Sequence, residues 1–360
     1  MFIYKNIIKP IVFRMDAEKA HNATMRLIRL AEESERVRKV TRILFDYQAK
    51  HLNQSLLGLT FRNPMGVAAG FDKNGSITRA LEALGFGFTE TGSITAGPSA
   101  GNPRPRLFRL PDDRAIINRM GLNNDGAEVI VNRLLNKKTG IPGGINIAKT
   151  HDPAITGDKA IEDYLRSYRL AEPAAGYITL NISCPNTTEG KTFEQKQPFR
   201  ELLQAIYDVR TQSSPPLLVK FSPDLSAADL TSLLDISESF HIDGYAAVNT
   251  SSSRKGLRTR ADKLKTMGSG GLSGKPLHQK SCAIIRQIRQ IAGPEKTIMG
   301  IGGVDSFQTA LDKIESGADL LQVYSGLVYN GPGMIRHINR QLSRHMKKVN
   351  AKSLRELRKI

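Results

Sequence analysis

The 360-residue chain holds only two cysteines, Cys184 and Cys282. Two cannot build a disulfide framework, which points to a reducing compartment. The chain has no secretory apolar segment and no run of about 18 apolar residues, so no membrane-spanning helix is expected. No grouping of His, Cys and carboxylate has the spacing of metal ligands, which argues against metal catalysis. The glycine fingerprint that opens the first helix of a dinucleotide-binding sheet is missing too. Acidic residues are scarce: 34 Asp and Glu stand against 52 Lys and Arg, for a net charge of +18. That balance admits nucleic acid, an anionic membrane face or anionic small molecules as partners, and does not choose among them. The apolar content of 40% is enough for one large α/β domain with a small appendage, or for two domains.

From Leu57 onward, short apolar runs alternate with helical patterns. Candidate strands are Met65–Gly70, Gly87–Ser93, Gly144–Lys149, Gly176–Cys184, Pro216–Ser222, Gly244–Thr250, Thr297–Gly302 and Asp319–Ser325. Helical patterns between them include Ile77–Leu84, Phe199–Arg210, Ala227–Ser239, Leu277–Ala292 and Ser306–Ser316. This alternation predicts an α/β fold, a (β/α)8 TIM barrel, preceded by an N-terminal helical extension. In that extension Pro10 is expected to break the first helical segment. Asp16 is expected to start a second, with Ala20, Met25, Leu27 and Leu30 on its apolar side. Its basic flanks fit an interfacial amphipathic hairpin, and equally a helical cap on the barrel. Two stretches, Ile94–Ala127 and Ser251–Lys275, are too long for plain loops and read as lids or binding walls. The tail from Arg336 to Ile360 reads as a basic helix packed on the barrel exterior through Ile338, Leu342 and Met346.

Polar residues cluster at the strand ends, which in a barrel converge on one mouth. Asn146, Asn181 and Asn249 are amides, Lys73 and Lys220 are ammonium groups, and Cys184 is a thiol. Such a mouth suits a planar anionic ligand rich in carbonyl and N–H groups. The run Asn181-Ile182-Ser183-Cys184-Pro185-Asn186 sets the thiol between two amides, which suits moving a proton on a bound ring. A buried, inert Cys at a strand end is the plainer alternative. The seventh strand ends Gly300-Ile301-Gly302-Gly303-Val304 and the eighth ends Tyr324-Ser325-Gly326, the usual position of a barrel phosphate site. Gly270-Gly271-Leu272-Ser273-Gly274 would add a flexible backbone contact. A phosphate beside a planar mouth points to flavin mononucleotide (FMN).

Six segments carry a family resemblance: Gly70-Phe71-Asp72-Lys73-Asn74-Gly75, residues 101–110 (GNPRPRLFRL), residues 118–124 (NRMGLNN), residues 181–187 (NISCPNT), residues 270–277 (GGLSGKPL) and residues 300–304 (GIGGV). In this order and spacing they resemble dihydroorotate dehydrogenase, specifically its membrane-associated, quinone-using class. The N-terminal Asp16-Ala17-Glu18-Lys19-Ala20-His21 resembles that class's helical extension. The resemblance implies oxidation of dihydroorotate to orotate in pyrimidine biosynthesis, with FMN as hydride acceptor and a membrane quinone as terminal acceptor. It implies a membrane and quinone extension over residues 1–48, an FMN-binding barrel over 49–360, and a peripheral location on the cytoplasmic side of the cell membrane, with no nucleic-acid partner. Carried over by position, it gives FMN contacts to Ala68, Ala69, Gly70, Ser93, Asn146, Asn181, Lys220, Val248, Gly271, Gly303, Tyr324 and Ser325. It gives the orotate ring and carboxylate to Lys73, Asn118, Arg119, Met120, Gly121, Leu122, Asn181, Asn186, Asn249 and Thr250. It sets His21, Arg109 and Tyr324 near the quinone tunnel and makes Cys184 the catalytic base, where the quinone class ordinarily has Ser. Residues 187–191 and 96–99 also depart from the family pattern. The rival readings are a flavin-dependent tRNA dihydrouridine synthase, which the basic charge would suit, a dihydroorotate dehydrogenase with a soluble acceptor, and a non-enzymatic scaffold at a membrane surface.

Overall fold

The computed structural model describes residues 3–183 and 192–359. Eight parallel strands close into a barrel: β1 (Met65–Val67), β2 (Phe88–Ile94), β3 (Gly143–Ile147), β4 (Tyr177–Asn181), β5 (Leu217–Phe221), β6 (Gly244–Ala247), β7 (Thr297–Ile301) and β8 (Leu320–Val323). Each pairs with its neighbours in sequence order, and β8 closes on β1 through Leu321, Gln322 and Val323 opposite Met65, Gly66 and Val67. All eight expected strands are present, most of them shorter at the carboxyl end than expected. β6 stops at Ala247, so Asn249 and Thr250 lie in the loop beyond it.

Side chains on a strand alternate between two faces. In β4, Ile178 and Leu180 pack against the helical layer, while Tyr177, Thr179 and Asn181 form the other set. The interior set changes character along the barrel axis. At the amino end it is hydrocarbon and aromatic: Phe88, Tyr177, Leu218, Ala246, Met299 and Leu320 pack on Phe61 of the hairpin Gln54–Leu56 and Leu59–Phe61, which plugs the bottom. One rung up it turns polar, with Glu90, Asn146, Thr179 and Gln322, all essentially unexposed. Above that rung lies the mouth.

The two long insertions build a single object. Leu107–Leu110 and Ala115–Asn118 form an antiparallel pair, and Gly271–Gly274 from the later insertion adds to its other edge. The flexibility expected of Gly270–Gly274 is corrected: Gly271–Gly274 is a strand, and a Cβ at Gly271 would come within 2.0 Å of Thr250 Oγ1.

Asp16 caps Ala17–Glu33 by accepting from the N–H groups of Glu18 and Lys19, and Ser34 then opens Glu35–Phe45. Pro10 does not break the first segment. Helical turns run from Tyr4 to Val12, and the helix changes from the π-helical turn Tyr4–Ile8 to Lys9–Val12 just before Pro10, whose missing N–H leaves one rung of the ladder unmade. The expected apolar side of the second helix is corrected as well. Ala20 and Ala31 are buried and Met25 and Ile28 pack on the core, but Leu27 and Leu30 face outward. They join Val37, Val40, Ile43 and Leu44 as exposed apolar side chains on the helical pair. The C-terminal helix spans Gly333–Lys348 and buries Ile338, Leu342 and Met346 as expected, but it stops at Lys348 and does not continue to Ile360. No helix among the described residues is long and apolar enough to cross a membrane.

Interior packing alternates small against large, and Gly144 shows how tightly. A Cβ there would lie 2.1 Å from the Tyr177 ring. Gly144→Ala should lower stability by roughly 1–3 kcal/mol, because the ring can move only into its packed neighbours. The midpoint of chemical denaturation measures this, and an unchanged midpoint would show that the interior rung is slack.

Candidate functional site

The mouth holds a cavity of about 1120 Å³, counting its open side. Its wall takes in Ala68, Ala69, Gly70, Lys73, Ser93, Asn118, Met120, Gly121, Leu122, Asn181, Lys220, Val248, Asn249, Thr250, Gly303, Tyr324 and Ser325, so most of the expected site residues meet in one place. Five do not line it, His21 among them, which packs edge-on against Phe71 from the N-terminal helix. Asn146 lies one rung below, between Glu90 and Ser93. Gly271 stands behind Thr250. Arg119 turns away, its guanidinium donating to the Pro105 carbonyl at 2.9 Å and stacking on Phe108. Arg109 holds the N-terminal segment, donating to the carbonyls of Val12 and Met15 and resting over the Phe13 ring. Cys184 and Asn186, and the altered run 187–191, lie outside the described residues. The wall also includes Leu107, Ile116, Leu277 and Gln322, which sequence reasoning missed, and Ser273 and Gly274 from the run expected to add a contact. Gln322 had a visible signal, a lone amide inside the apolar strand Leu320–Val323.

Lys73 is aimed by its neighbour. Asp72, 1% exposed, accepts from the N–H groups of Ser76 and Ile77 at 2.8 and 2.9 Å, folding the turn before helix Thr78–Ala83. Burial, and then the Arg106 guanidinium, bring the Lys73 pKa down to about 8. Arg106 is itself committed. It forks onto Glu18 at 2.9 Å and donates to the carbonyls of Ala100 and Asn102 at 2.7 and 2.9 Å, tying helix Ala17–Glu33 to the insertion sheet. Burial pushes the Glu18 carboxyl up, but Arg106 and Arg104 outweigh it and hold the carboxyl below the usual range. His21, on the same helix, meets Phe71 edge-on at 5.8 Å, and Phe71 meets Tyr324 edge-on at 5.6 Å. A line of rings thus runs from the helical pair to the cavity wall. Burial, with Lys73 adding to it, lowers the His21 pKa to about 4, so the imidazole is neutral at pH 7.

The amides are oriented from below. Glu90 is 0% exposed and accepts from Asn146 Nδ2 at 2.9 Å, Gln322 Nε2 at 2.6 Å, Tyr177 at 3.2 Å and Thr179 at 3.3 Å. With its Nδ2 spent on Glu90, Asn146 presents Oδ1 to the Ser93 hydroxyl. Ser93 Oγ then accepts from Asn181 Nδ2 at 3.0 Å, and Asn181 Oδ1 accepts from Asn249 Nδ2 at 3.0 Å. Each link fixes which end of the next amide faces where.

A closed (β/α)8 barrel with a polar cavity at the carboxyl ends of its strands defines a barrel enzyme. Comparison with known proteins narrows the class. The family profile "Dihydroorotate dehydrogenase" matches residues 51–346. A Nocardioides sp. protein named dihydroorotate dehydrogenase (quinone) is 41% identical over 351 residues, 94% of this chain and 96% of that protein. A Chloroflexus aurantiacus protein of the same name is 40% identical over 355 residues, 96% of this chain and 97% of that protein. Among solved structures, ligand-free dihydroorotate dehydrogenase from Eimeria tenella superposes with a TM-score of 0.85 at 28% identity, covering 95% of this chain and 98% of its own. The chain belongs to the dihydroorotate dehydrogenase family, and with it to the oxidoreductases.

Two outcomes follow from the geometry. Lys73 is charged below about pH 8 and loses its proton above it. Binding of a ring carboxylate such as orotate should therefore weaken as pH rises through that value, and in Lys73→Met it should be weak throughout; a flat affinity from pH 7 to 9 would remove Lys73 from the site. Glu90→Gln sets a donor against Asn146 Nδ2 and should weaken the same ligand by roughly 1–3 kcal/mol. Adding Asn146→Asp restores an acceptor toward Ser93 and should recover most of the loss, whereas a role confined to packing around Glu90 predicts no recovery.

Proposed function

We propose that this protein oxidises dihydroorotate to orotate in pyrimidine biosynthesis, with FMN as hydride acceptor and a membrane quinone as final oxidant. One observation carries the reading: Lys73, Lys220, Asn118, Asn181, Asn249 and the glycine turn at 302–303 come from separate segments and share one cavity. The relatives' printed name, dihydroorotate dehydrogenase (quinone), supports the same substrate and acceptor. The rival tRNA-reducing reading is not favoured by these relationships.

The cavity fits FMN. Gly302 and Gly303 take φ of +99° and +77°, and a Cβ at 303 would fall 2.7 Å from His278 Cβ, so the turn leaves a bare backbone cradle suited to a phosphate. Ala68, Ala69, Gly70, Ser93, Lys220, Val248, Tyr324 and Ser325 would hold the flavin, with Asn146 orienting Ser93 from behind. When bound, FMN supplies the acceptor for the hydride at substrate C6. Lys73 binds the substrate carboxylate, and Asn118, Asn181, Asn249 and Thr250 bind the ring, with Met120, Gly121 and Leu122 alongside. Cys184 takes the C5 proton and Asn186 adds a ring contact. The chain leading to them is held at the mouth, since Asn249 Nδ2 donates to the Ser183 carbonyl at 2.9 Å. A free thiol titrates near 8.5, so about a tenth is thiolate at pH 7.5.

Residues 1–48 form the membrane-facing extension and 49–360 the FMN-binding barrel. Ile3, Ile11, Leu27, Leu30, Ile43 and Leu44 are each more than half exposed, which supports peripheral seating on the cytoplasmic face of the cell membrane. A second cleft, between Phe13, Ala17, Leu107 and Arg109, shares Leu107 with the main cavity and supports quinone approach from that side. The edge-on contacts of His21 with Phe71 and of Phe71 with Tyr324 join the N-terminal helix to the cavity wall on that side, which supports the same reading.

Anaerobic mixing of the FMN-loaded protein with dihydroorotate should bleach the flavin, and a quinone should restore its colour faster than fumarate or NAD. Absence of bleaching would sink the reading, and fastest recovery with fumarate would move the enzyme to the soluble class. In Cys184→Ser the bleaching rate should level off at higher pH than in the unaltered chain. An unchanged profile would remove Cys184 as the base.

A further inference from the structure

Behind the glycine turn sits a buried cation that the proposed chemistry does not use. Lys313, on helix Phe307–Glu315, is 0% exposed. Among the described residues no carboxylate pairs with it. Asp312, next to it in sequence, is engaged by His278 Nε2 at 2.8 Å and by Gln308 at 2.7 Å. Asp312 and the Cys282 thiol act on Lys313 through space and favour its charged form, but burial outweighs them and lowers its pKa to about 8. At neutral pH the ammonium is still charged. Placing such a charge out of water is costly, and a hydrogen bond to a neutral hydroxyl offsets only part of that cost.

The direction of that hydrogen bond is informative. Lys313 Nζ donates to Ser281 Oγ at 2.7 Å, and Ser281 Oγ donates to the Ile301 carbonyl at 2.5 Å. The same carbonyl also accepts from the Val248 N–H at 3.2 Å. The N–H of that peptide belongs to Gly302, on the cavity wall. A carbonyl loaded with two donors, one of them backed by an ammonium, makes the N–H of its own peptide a stronger donor. The Lys313 stem packs against the end of β7 that leads into the turn: its Cδ would be 3.2 Å from a Cβ on Gly300.

We infer that Lys313 is the buried counter-charge for the phosphate of bound FMN, a positioning residue that acts through Ser281 and the Ile301–Gly302 peptide. The inference rests on the FMN reading above. It assigns selectivity for the phosphorylated flavin to a residue that does not line the cavity. Two effects act together: the polarised Gly302 N–H, and attraction between ammonium and phosphate across a dry wall. Riboflavin, which lacks the phosphate, should feel neither.

The test compares dissociation constants of FMN and riboflavin for the flavin-free full-length chain, read by quenching of flavin fluorescence. The unaltered chain should prefer FMN. Lys313→Met, close in volume, should weaken FMN on the order of tenfold or more while leaving riboflavin within about twofold. Ser281→Ala keeps the ammonium and cuts the relay, so it should weaken FMN selectively and by less, and it serves if Lys313→Met does not fold. Equal weakening of both flavins would make Lys313 merely structural and overturn the inference, as would an unaltered FMN constant in either variant. An unaltered chain that binds neither flavin would instead bring down the FMN reading itself.

Discussion

The acceptance of four hydrogen bonds by Glu90 is the constraint on which the mouth depends. An amide side chain is nearly symmetric in shape, so packing alone does not decide which end points at a ligand. A carboxylate can only accept, and Glu90 stands where the hydrocarbon packing around Phe88 and Tyr177 ends and the cavity begins. Its demand for donors passes through Asn146 and Ser93 to Asn181 and Asn249. Among the described residues no ion pair reaches it, so four neutral donors bear the whole cost of its burial.

Much of this was legible in the sequence. Eight short apolar runs, most ending in polar residues, could only converge at one rim once the barrel was assumed, and Lys73, Asn181, Lys220 and Asn249 meet there. What escaped was alternation within the strands. Asn146 shares a rung with Glu90 below the cavity, and a charge in the middle of Phe88–Ile94 was the available sign that a polar rung exists. Arg119 follows Asn118 on extended backbone, so when the amide faces the cavity the guanidinium faces away; proximity within a motif was mistaken for proximity in space. The sheet over the mouth could not be read from local pattern, because Ala115–Asn118 finds Gly271–Gly274 roughly 150 residues later in the chain.

The N-terminal helices are more than an attachment to the barrel. Glu18 binds Arg106, and Arg106 in turn holds the carbonyls of Ala100 and Asn102 in the first insertion. Gly101 allows that insertion to lie against the Met120 carbonyl, which a Cβ would approach to 2.1 Å. Helix position, insertion position and the Asn118–Leu122 wall are therefore mechanically one piece. The same helix turns His21 toward Phe71 on the barrel side and leaves Leu27 and Leu30 outward.

Closure of β8 onto β1 carries a cost during synthesis. Met65–Val67 emerges from the ribosome early, yet its second neighbour, Leu320–Val323, is translated some 250 residues later. Until then one edge of the nascent sheet carries unmet peptide groups, a template for pairing with other chains. The hydrocarbon plug around Phe61 and Phe88 lies at that same unfinished seam. Yield in a cell should thus respond to chaperone supply and translation speed more than the stability of the finished molecule would suggest.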